Sequence, residues 1–209
     1  MFADFENSNA NFYCFKPPEI IKQDIKTREI SRLPNQANAD FEILQWVGID
    51  GDTYTNSILQ TGVDFTVQNG RVTYDAWYEW YPDYAYDFTG ISFKSGDTVS
   101  VSVKSSSSTA GTAVVENLTT GQKVSKAITS SAKLGGQNAE WIVEDFEQNG
   151  ALVPFTNFGT VVFTGATAGT SSGGSVGIAG ATLIDIKQNG KVLTSSSTSG
   201  TSQVTVKHT

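Results

Sequence analysis

The stretch Tyr74-Asp75-Ala76-Trp77-Tyr78-Glu79-Trp80-Tyr81 reads as one β-strand whose two faces differ in kind. Side chains alternate along a strand, so Tyr74, Ala76, Tyr78 and Trp80 share one face while Asp75, Trp77, Glu79 and Tyr81 share the other. The first set is apolar enough to lie on a core. The second places two carboxylates among two large aromatics. That composition is wasteful on a plain solvent surface and suits the floor of a binding groove.

The same grammar continues along the chain. Strand-like runs at Val72–Tyr81, Thr98–Lys104, Thr112–Asn117, Glu140–Phe146, Thr160–Thr164 and Ala181–Lys187 are separated by turn signals. Asn69-Gly70, Asn149-Gly150 and Asn189-Gly190 are type I′ hairpin dipeptides. Lys94-Ser95-Gly96-Asp97 is a further turn, and Val204-Thr205-Val206 is a last strand after the low-complexity stretch Ser195–Ser202. Many short strands, regular turns and no repeat of fixed period predict an all-β chain, a sandwich or barrel with almost no helix. Residues 1–45 differ. They hold five of the fourteen basic residues and three of the five prolines, and Ile20, Ile21, Ile25 and Ile30 fit neither period. The expected division is an atypical N-terminal segment, 1–45, followed by a β domain, 46–209.

Composition removes whole reaction classes. The 209 residues are 38 % hydrophobic and 17 % charged, enough for a real core. Net charge is −7 and the pI about 4.6. Nucleic acid is an unsuitable partner because there is no Lys/Arg cluster to neutralise phosphates. There is one cysteine, Cys14, and one histidine, His208. An intrachain disulfide is impossible, and a zinc site of His and Cys lacks ligands. Nucleophilic catalysis with an imidazole base would need His208, the penultimate residue, which reads as part of a frayed tail. No apolar run is long enough for a membrane span, and Met1–Phe15 shows no basic region followed by an apolar one, so it is not expected to be a secretory signal.

Three more segments carry polar groups in suggestive places. In Trp46-Val47-Gly48-Ile49-Asp50-Gly51-Asp52, alternation puts Trp46, Gly48 and Asp50 together, and glycine would allow close approach of a ligand. Taken alone, a strand leaving through an Asp-Gly turn is the simpler reading. In Ile58-Leu59-Gln60-Thr61-Gly62, Gln60 is the sole amide between apolar neighbours, or an exposed strand glutamine. In Asn138-Ala139-Glu140-Trp141-Ile142-Val143-Glu144-Asp145-Phe146-Glu147, alternation groups Glu140, Ile142, Glu144 and Phe146 against Trp141, Val143 and Asp145. A carboxyl in such apolar company has its pKa raised toward working pH. Spacing alone does not separate this from a solvated acidic strand.

Together, Trp46–Asp52, Ile58–Gly62, Tyr74–Pro82, Glu116–Val124, Asn138–Glu147 and Val153–Gly159 resemble the glutamic peptidases, or eqolisins, of fungi, six segments in family order. The resemblance implies an antiparallel β-sandwich of two large curved sheets, of the concanavalin or lectin type. It implies an acid endopeptidase with Gln60 and Glu144 as catalytic dyad and with Trp46, Asp50, Asp75, Trp77, Glu79 and Tyr81 as binding and supporting residues. It implies no cofactor and no metal, polypeptide substrates, no nucleic-acid or membrane partner, a monomer, and an extracellular place of work. The N-terminal strands are atypical. The family's opening Asn-Trp-Ala/Gly-Gly strand is missing from Met1–Gln45, and only Ile30-Ser31-Arg32-Leu33-Pro34 stands in for its Val-Pro step. Lys26–Leu33 and Asp40–Gly48 are expected to pair with the sandwich, and Met1–Pro18 to pack loosely.

With imidazole, thiol and metal excluded, carboxyl chemistry remains. Glu144 as carboxylate takes a proton from water and then returns it to the departing nitrogen. Gln60 donates its amide N–H to the oxyanion and holds the water with its oxygen. An unperturbed Glu titrates near 4.3, so such a site works best in acid. Trp46, Trp77 and Tyr81 would wall the subsites, Asp50 and Asp75 would orient the dyad, and Glu79 would bind substrate or a partner carboxyl. The competing readings are a catalytically inactive relative and a β-sandwich module that binds glycans or peptides.

Overall fold

The computed structural model describes residues 13–15, 23–28, 41–144, 147–148, 151–152, 155 and 157–209. They form antiparallel β-structure in two layers, with no helix among them. The first sheet runs, edge to edge, through β15 (Thr182–Leu183), β1 (Tyr13–Phe15), β10 (Ala139–Glu144), β3 (Phe41–Ile49), β4 (Ile58–Gln68), β5 (Arg71–Tyr81) and β6 (Tyr86–Asp87). The second runs through β18 (Thr194–Ser199), β19 (Gln203–His208), β13 (Thr160–Gly169), β2 (Gln23–Arg28), β7 (Val99–Ser107), β8 (Ala110–Asn117) and β9 (Gln122–Thr129), with β14 (Ser175–Val176) beside β13. Two short hairpins, β11 (Glu147–Gln148) with β12 (Ala151–Leu152) and β16 (Lys187–Gln188) with β17 (Lys191–Val192), complete the set.

The two-residue period sorts each long strand into a core side and an outer side. Ile43, Val47 and Ile49 of β3, Leu59, Val63, Phe65 and Val67 of β4, Ala76 and Trp80 of β5, and Trp141 and Val143 of β10 face the second sheet. There they meet Val99, Val101 and Val103 of β7, Ala113 and Val115 of β8, and Val161 and Phe163 of β13. Burying a side chain of this size contributes about 1.5–3 kcal/mol, so this interlayer core dominates stability. The turn chemistry is as read at two of the three Asn-Gly turns. Asn69 and Gly70, at φ 51° and 73°, close the β4–β5 hairpin, and Asn189 and Gly190, at 49° and 80°, close β16–β17.

Several sequence expectations change. The expected strand Ala181–Lys187 is split between β15 and β16. Thr194 Oγ1 accepts the Ile186 N–H at 2.9 Å and bonds Asp185 Oδ1 at 3.2 Å, and these side-chain bonds replace a ladder there. The low-complexity stretch is strand β18, paired with β19 along its length. His208 is not a frayed end. It is the last residue of β19, its N–H bonds Gly159 O at 2.9 Å, and its ring stacks on Phe155 at 5.6 Å and meets Phe158 edge-on. The pairing expected around Lys26 and along 41–48 is present, since β2 is central in the second sheet and β3 in the first. Within the stretch expected to pack loosely, Tyr13–Phe15 pairs with both β10 and β15. Ile30–Pro34, Asp145, Phe146 and Asn149-Gly150 lie outside the described residues.

Candidate active site

The outer face of the first sheet is set by register. Residues directly opposite across antiparallel strands point to the same side. One row across β10, β3, β4 and β5 is therefore Glu140, Gly48, Gln60 and Glu79. The next is Ile142, Trp46, Gly62 and Trp77, and the third is Glu144, Leu44, Asp64 and Asp75. All eight residues singled out from the sequence sit on these rows or at their margins. Gln60 and Glu144 share the face, two strands and four residues apart. At ~4.8 Å between strands and ~3.4 Å per residue, a flat sheet would set their Cα atoms on the order of 17 Å apart.

Each head group is held. Trp46 Nε1 donates to Glu144 Oε2 at 2.8 Å, and Gln60 Nε2 donates to Glu79 Oε2 at 2.7 Å. Trp77 Nε1 donates to Asp64 Oδ1 at 2.5 Å. Gln60 and Glu144 are only 5 % and 6 % exposed. The two indoles pack with Ile142 and Leu44 as a small second apolar cluster on this face, with Trp46 fully buried and Trp77 nearly so. Their role in this arrangement is to hold carboxylates, where the sequence suggested subsite walls. Asp75 is exposed, while Glu79 and Tyr81 are half-buried, so these three present surface at the face.

Gly62 explains how two tryptophans fit in one row. It stands between them, and a Cβ there would come within 2.6 Å of Trp46 Cβ and closer still to the Gln45 carbonyl.

Asp50 lies beyond the end of β3, fully buried, at φ 67°. Its carboxylate accepts the N–H groups of Gly135 at 2.7 Å, Gly136 at 2.9 Å, Gln137 at 2.7 Å and Asn138 at 3.4 Å. Burial raises its pKa and these four bonds oppose the rise. Asn138 Oδ1 in turn accepts the N–H groups of Thr53 and Tyr54. Asp50 and Asn138 thus lace the loop after β3 to the loop before β10, the strand that carries Glu144.

Two acids on this face were missed, Asp64 and Glu42, and a third, Glu140, was placed beside Glu144 without a role. Asp64 follows Gln60 and Gly62 at two-residue steps, a signal open to alternation. Burial holds its carboxyl well above the usual range, with the Trp77 bond opposing and Glu42, Glu144 and Asp75 adding to the rise. Glu42 is raised by burial and by Asp75. Glu140 is fully buried, and neither of its oxygens has a hydrogen-bond partner of ordinary geometry. Gly51 folds against it so closely that a Cβ there would come within 2.7 Å of Oε2. Burial pushes Glu140 well above the ordinary carboxyl range, the Asp52 charge pushes it further, the Asp52 amide opposes, and Asp50 adds to the rise. Glu79 is raised to about 7, chiefly by burial, with the Gln60 bond opposing. The face is therefore rich in carboxyls that hold their protons, alongside one amide. No cluster of three or more His, Cys, Asp or Glu among the described residues could hold a metal ion.

The model of the peptidase A4 family matches residues 23–208. The chain belongs to the peptidase A4 family. It is 55 % identical over 159 residues to aspergillopepsin-2 of Aspergillus niger, covering 75 % of this chain and 56 % of that protein. It is 48 % identical over 165 residues to scytalidopepsin B of Scytalidium lignicola, covering 75 % of this chain and 62 % of that protein. The chain thus spans somewhat over half the length of the curated relatives it matches. A solved scytalido-glutamic peptidase, bound to a transition-state analogue inhibitor, shares the fold with a TM-score of 0.82 at 39 % identity, over 97 % of this chain and 99 % of that one. Aspergilloglutamic peptidase from Aspergillus niger gives 0.76 at 52 % identity, over 81 % and 99 %. The A4 assignment and the solved neighbours agree with the antiparallel all-β fold read from the strand pattern.

Proposed function

We propose that this A4 family chain is an endopeptidase working in acid, with Glu144 as general base and acid and Gln60 as oxyanion donor. The observation that carries the reading is the shared face. A carboxylate fixed by an indole N–H and an amide fixed by a carboxyl stand two strands apart on the same face, and the names of the family relatives are those of peptidases.

In the first step Glu144 takes a proton from water as the water oxygen bonds to the peptide carbonyl carbon. The carbonyl electron pair moves onto oxygen, and an N–H of Gln60 Nε2 stabilises it. In the second step the oxyanion collapses, the C–N bond breaks, and Glu144 returns its proton to the leaving nitrogen. The products are a carboxylic acid and an amine. No cofactor enters either step. Trp46 keeps the Glu144 carboxyl in place, and Asp75, Glu79 and Tyr81 border the bound polypeptide. The same reading has the protein act as a monomer outside the cell. No helix of the described residues is long and apolar enough to cross a membrane.

Digestion of an unfolded protein substrate, followed from pH 3 to pH 7, is the test. Cleavage in acid is expected. Gln60→Ala should lower turnover by roughly 10²–10³, the effect of losing one oxyanion donor. Glu144→Gln should cost at least as much. Near-native activity in either variant would remove that residue from the mechanism, and an inactive wild-type protein would make this chain a silent member of the family.

A further inference from the structure

Resting on the peptidase reading, we propose that Glu79 is a positioning residue that selects which end of the Gln60 amide faces the scissile carbonyl. As a neutral acid it donates its O–H to Gln60 Oε1 and turns Nε2 outward. As a carboxylate it captures Nε2 for itself.

The geometry isolates the pair. Gln60 and Glu79 are direct cross-strand partners on β4 and β5, joined by the 2.7 Å bond. On the other side of Gln60 the row holds Gly48, which has no side chain to compete for the amide. With Nε2 turned to Glu79, Gln60 Oε1 is left buried without a partner. A buried unpaired acceptor costs about 1–3 kcal/mol. An amide has nearly the same shape at both ends, so rotation by a half-turn preserves the packing and exchanges donor for acceptor. A protonated Glu79 favours the rotated form, because its O–H then pairs with the oxygen that was unpaired. The NH2 group now faces the site with both hydrogens free, and its best partner is the oxyanion, which exists only in the transition state. A donor satisfied only then accelerates the reaction instead of merely tightening binding.

The surroundings favour the neutral acid under the proposed working conditions. Asp83 in the turn after β5 acts on Glu79, Asp87 on β6 pairs with Trp77 beside it, and Glu140 stands at the far end of its row, while the amino-terminal charge opposes the rise. Burial and Asp83 raise Glu79 to about 7 against the opposing Gln60 bond. In acid it is therefore protonated, and near neutrality it ionises. Ionisation both captures Nε2 and sets a negative charge beside the site of the oxyanion.

The test compares Glu79→Gln with Glu79→Ala on a protein substrate. Wild-type kcat should fall on the alkaline side with an apparent pKa near 7. Glu79→Gln is always neutral and can donate to Gln60 Oε1. It should stay within tenfold of wild type at pH 4.5 and lose that alkaline limb. Glu79→Ala should lose on the order of 10² in kcat with KM little changed, since Gln60 is no longer held. An unaltered alkaline limb in Glu79→Gln, or an alanine variant as active as the glutamine variant at pH 4.5, would overturn the proposal. A readout without turnover separates this from failure of the peptidase reading. In the Glu144→Gln background, the Gln60 side-chain amide resonances, assigned by their loss in Gln60→Ala, should titrate with Glu79 and stop titrating in Glu79→Gln. Titration in a protein without peptidase activity would leave the pairing standing and remove the function. Activity with no such titration, over pH values where circular dichroism shows the fold intact, would do the reverse.

Discussion

Glu140→Gln should flatten the fall in stability of this protein between acid and neutral pH. Glu140 is fully buried beneath Gly51, without an ordinary hydrogen bond to either oxygen, and its carboxyl is held well above its ordinary value of 4.5. A folded pKa above the unfolded one means that the folded state holds the proton longer. The stabilisation is fully present below about pH 4.5 and is lost as pH rises toward the folded pKa. In that window each pH unit costs about 1.36 kcal/mol for one proton. For a chain of 209 residues, each such unit corresponds to about 2–4 °C in Tm. Asp64, Glu79, Glu42 and Asp50 are raised as well and add to the wild-type slope, so the difference between the two proteins isolates Glu140. The amide also leaves a buried polar group unpaired, so at pH 4 the variant should lie within about 1–3 kcal/mol of wild type. Thermal or urea unfolding at half-unit pH steps reads both quantities. Parallel curves for the two proteins would show that Glu140 is not the buried acid described above.

Trp46→Phe removes the indole N–H from Glu144 and should lower kcat about tenfold or more, since a hydrogen bond to a charged group contributes about 1.5–3 kcal/mol; steady-state kinetics on a protein substrate measures it. Gly62→Ala should push Trp46 off its seat, costing about 1–3 kcal/mol in urea unfolding and weakening activity together with stability. Asp50→Ala leaves four backbone N–H groups of residues 135–138 without their acceptor. It should destabilise by at least about 3 kcal/mol and expose that loop to proteolysis before any other. Asn117→Ala should cost a similar amount with no effect on the pH profile, because its buried amide ties Ser92, Asp97, Thr119 and Thr120 on the side of the sandwich that does not carry Gln60 and Glu144.

Much of the site was legible because alternation is a local property. The face carrying Asp75, Trp77, Glu79 and Tyr81 follows from their spacing alone, and register places all four opposite Asp64, Gly62, Gln60 and Ile58 of β4. The same rule applied to Ile58–Asp64 would have found Asp64, two steps after Gln60. The roles of the tryptophans were not legible. An indole among acids reads equally well as a wall or as a donor, and only the bonds to Glu144 and Asp64 separate the two. Glu140 and Glu144 occupy equivalent places in one alternating run. One is a sealed and unpaired acid, and the other is held by Trp46, because the 50–54 loop folds over the first and not the second.

By itself the sequence determined the two-residue period of the strands, the positive-φ hairpin turns, the all-β class, and a chemistry restricted to carboxyls and amides by one cysteine and one histidine. These depend on neighbours a few residues apart or on composition. The tertiary structure decided which strands became neighbours. It set β10 beside β3 and brought Glu144 onto the face of Gln60. It turned Asp50 into a clamp between loops, and it placed His208 against Phe155 and Phe158. Strand order and the closing of loops depend on contacts between residues far apart in the chain, whose preference for one another is carried by buried area and backbone pairing summed over the whole sandwich. No local window holds that sum, so the shared face of Gln60 and Glu144 could be expected from spacing and resemblance and was placed only by the assembled sheet.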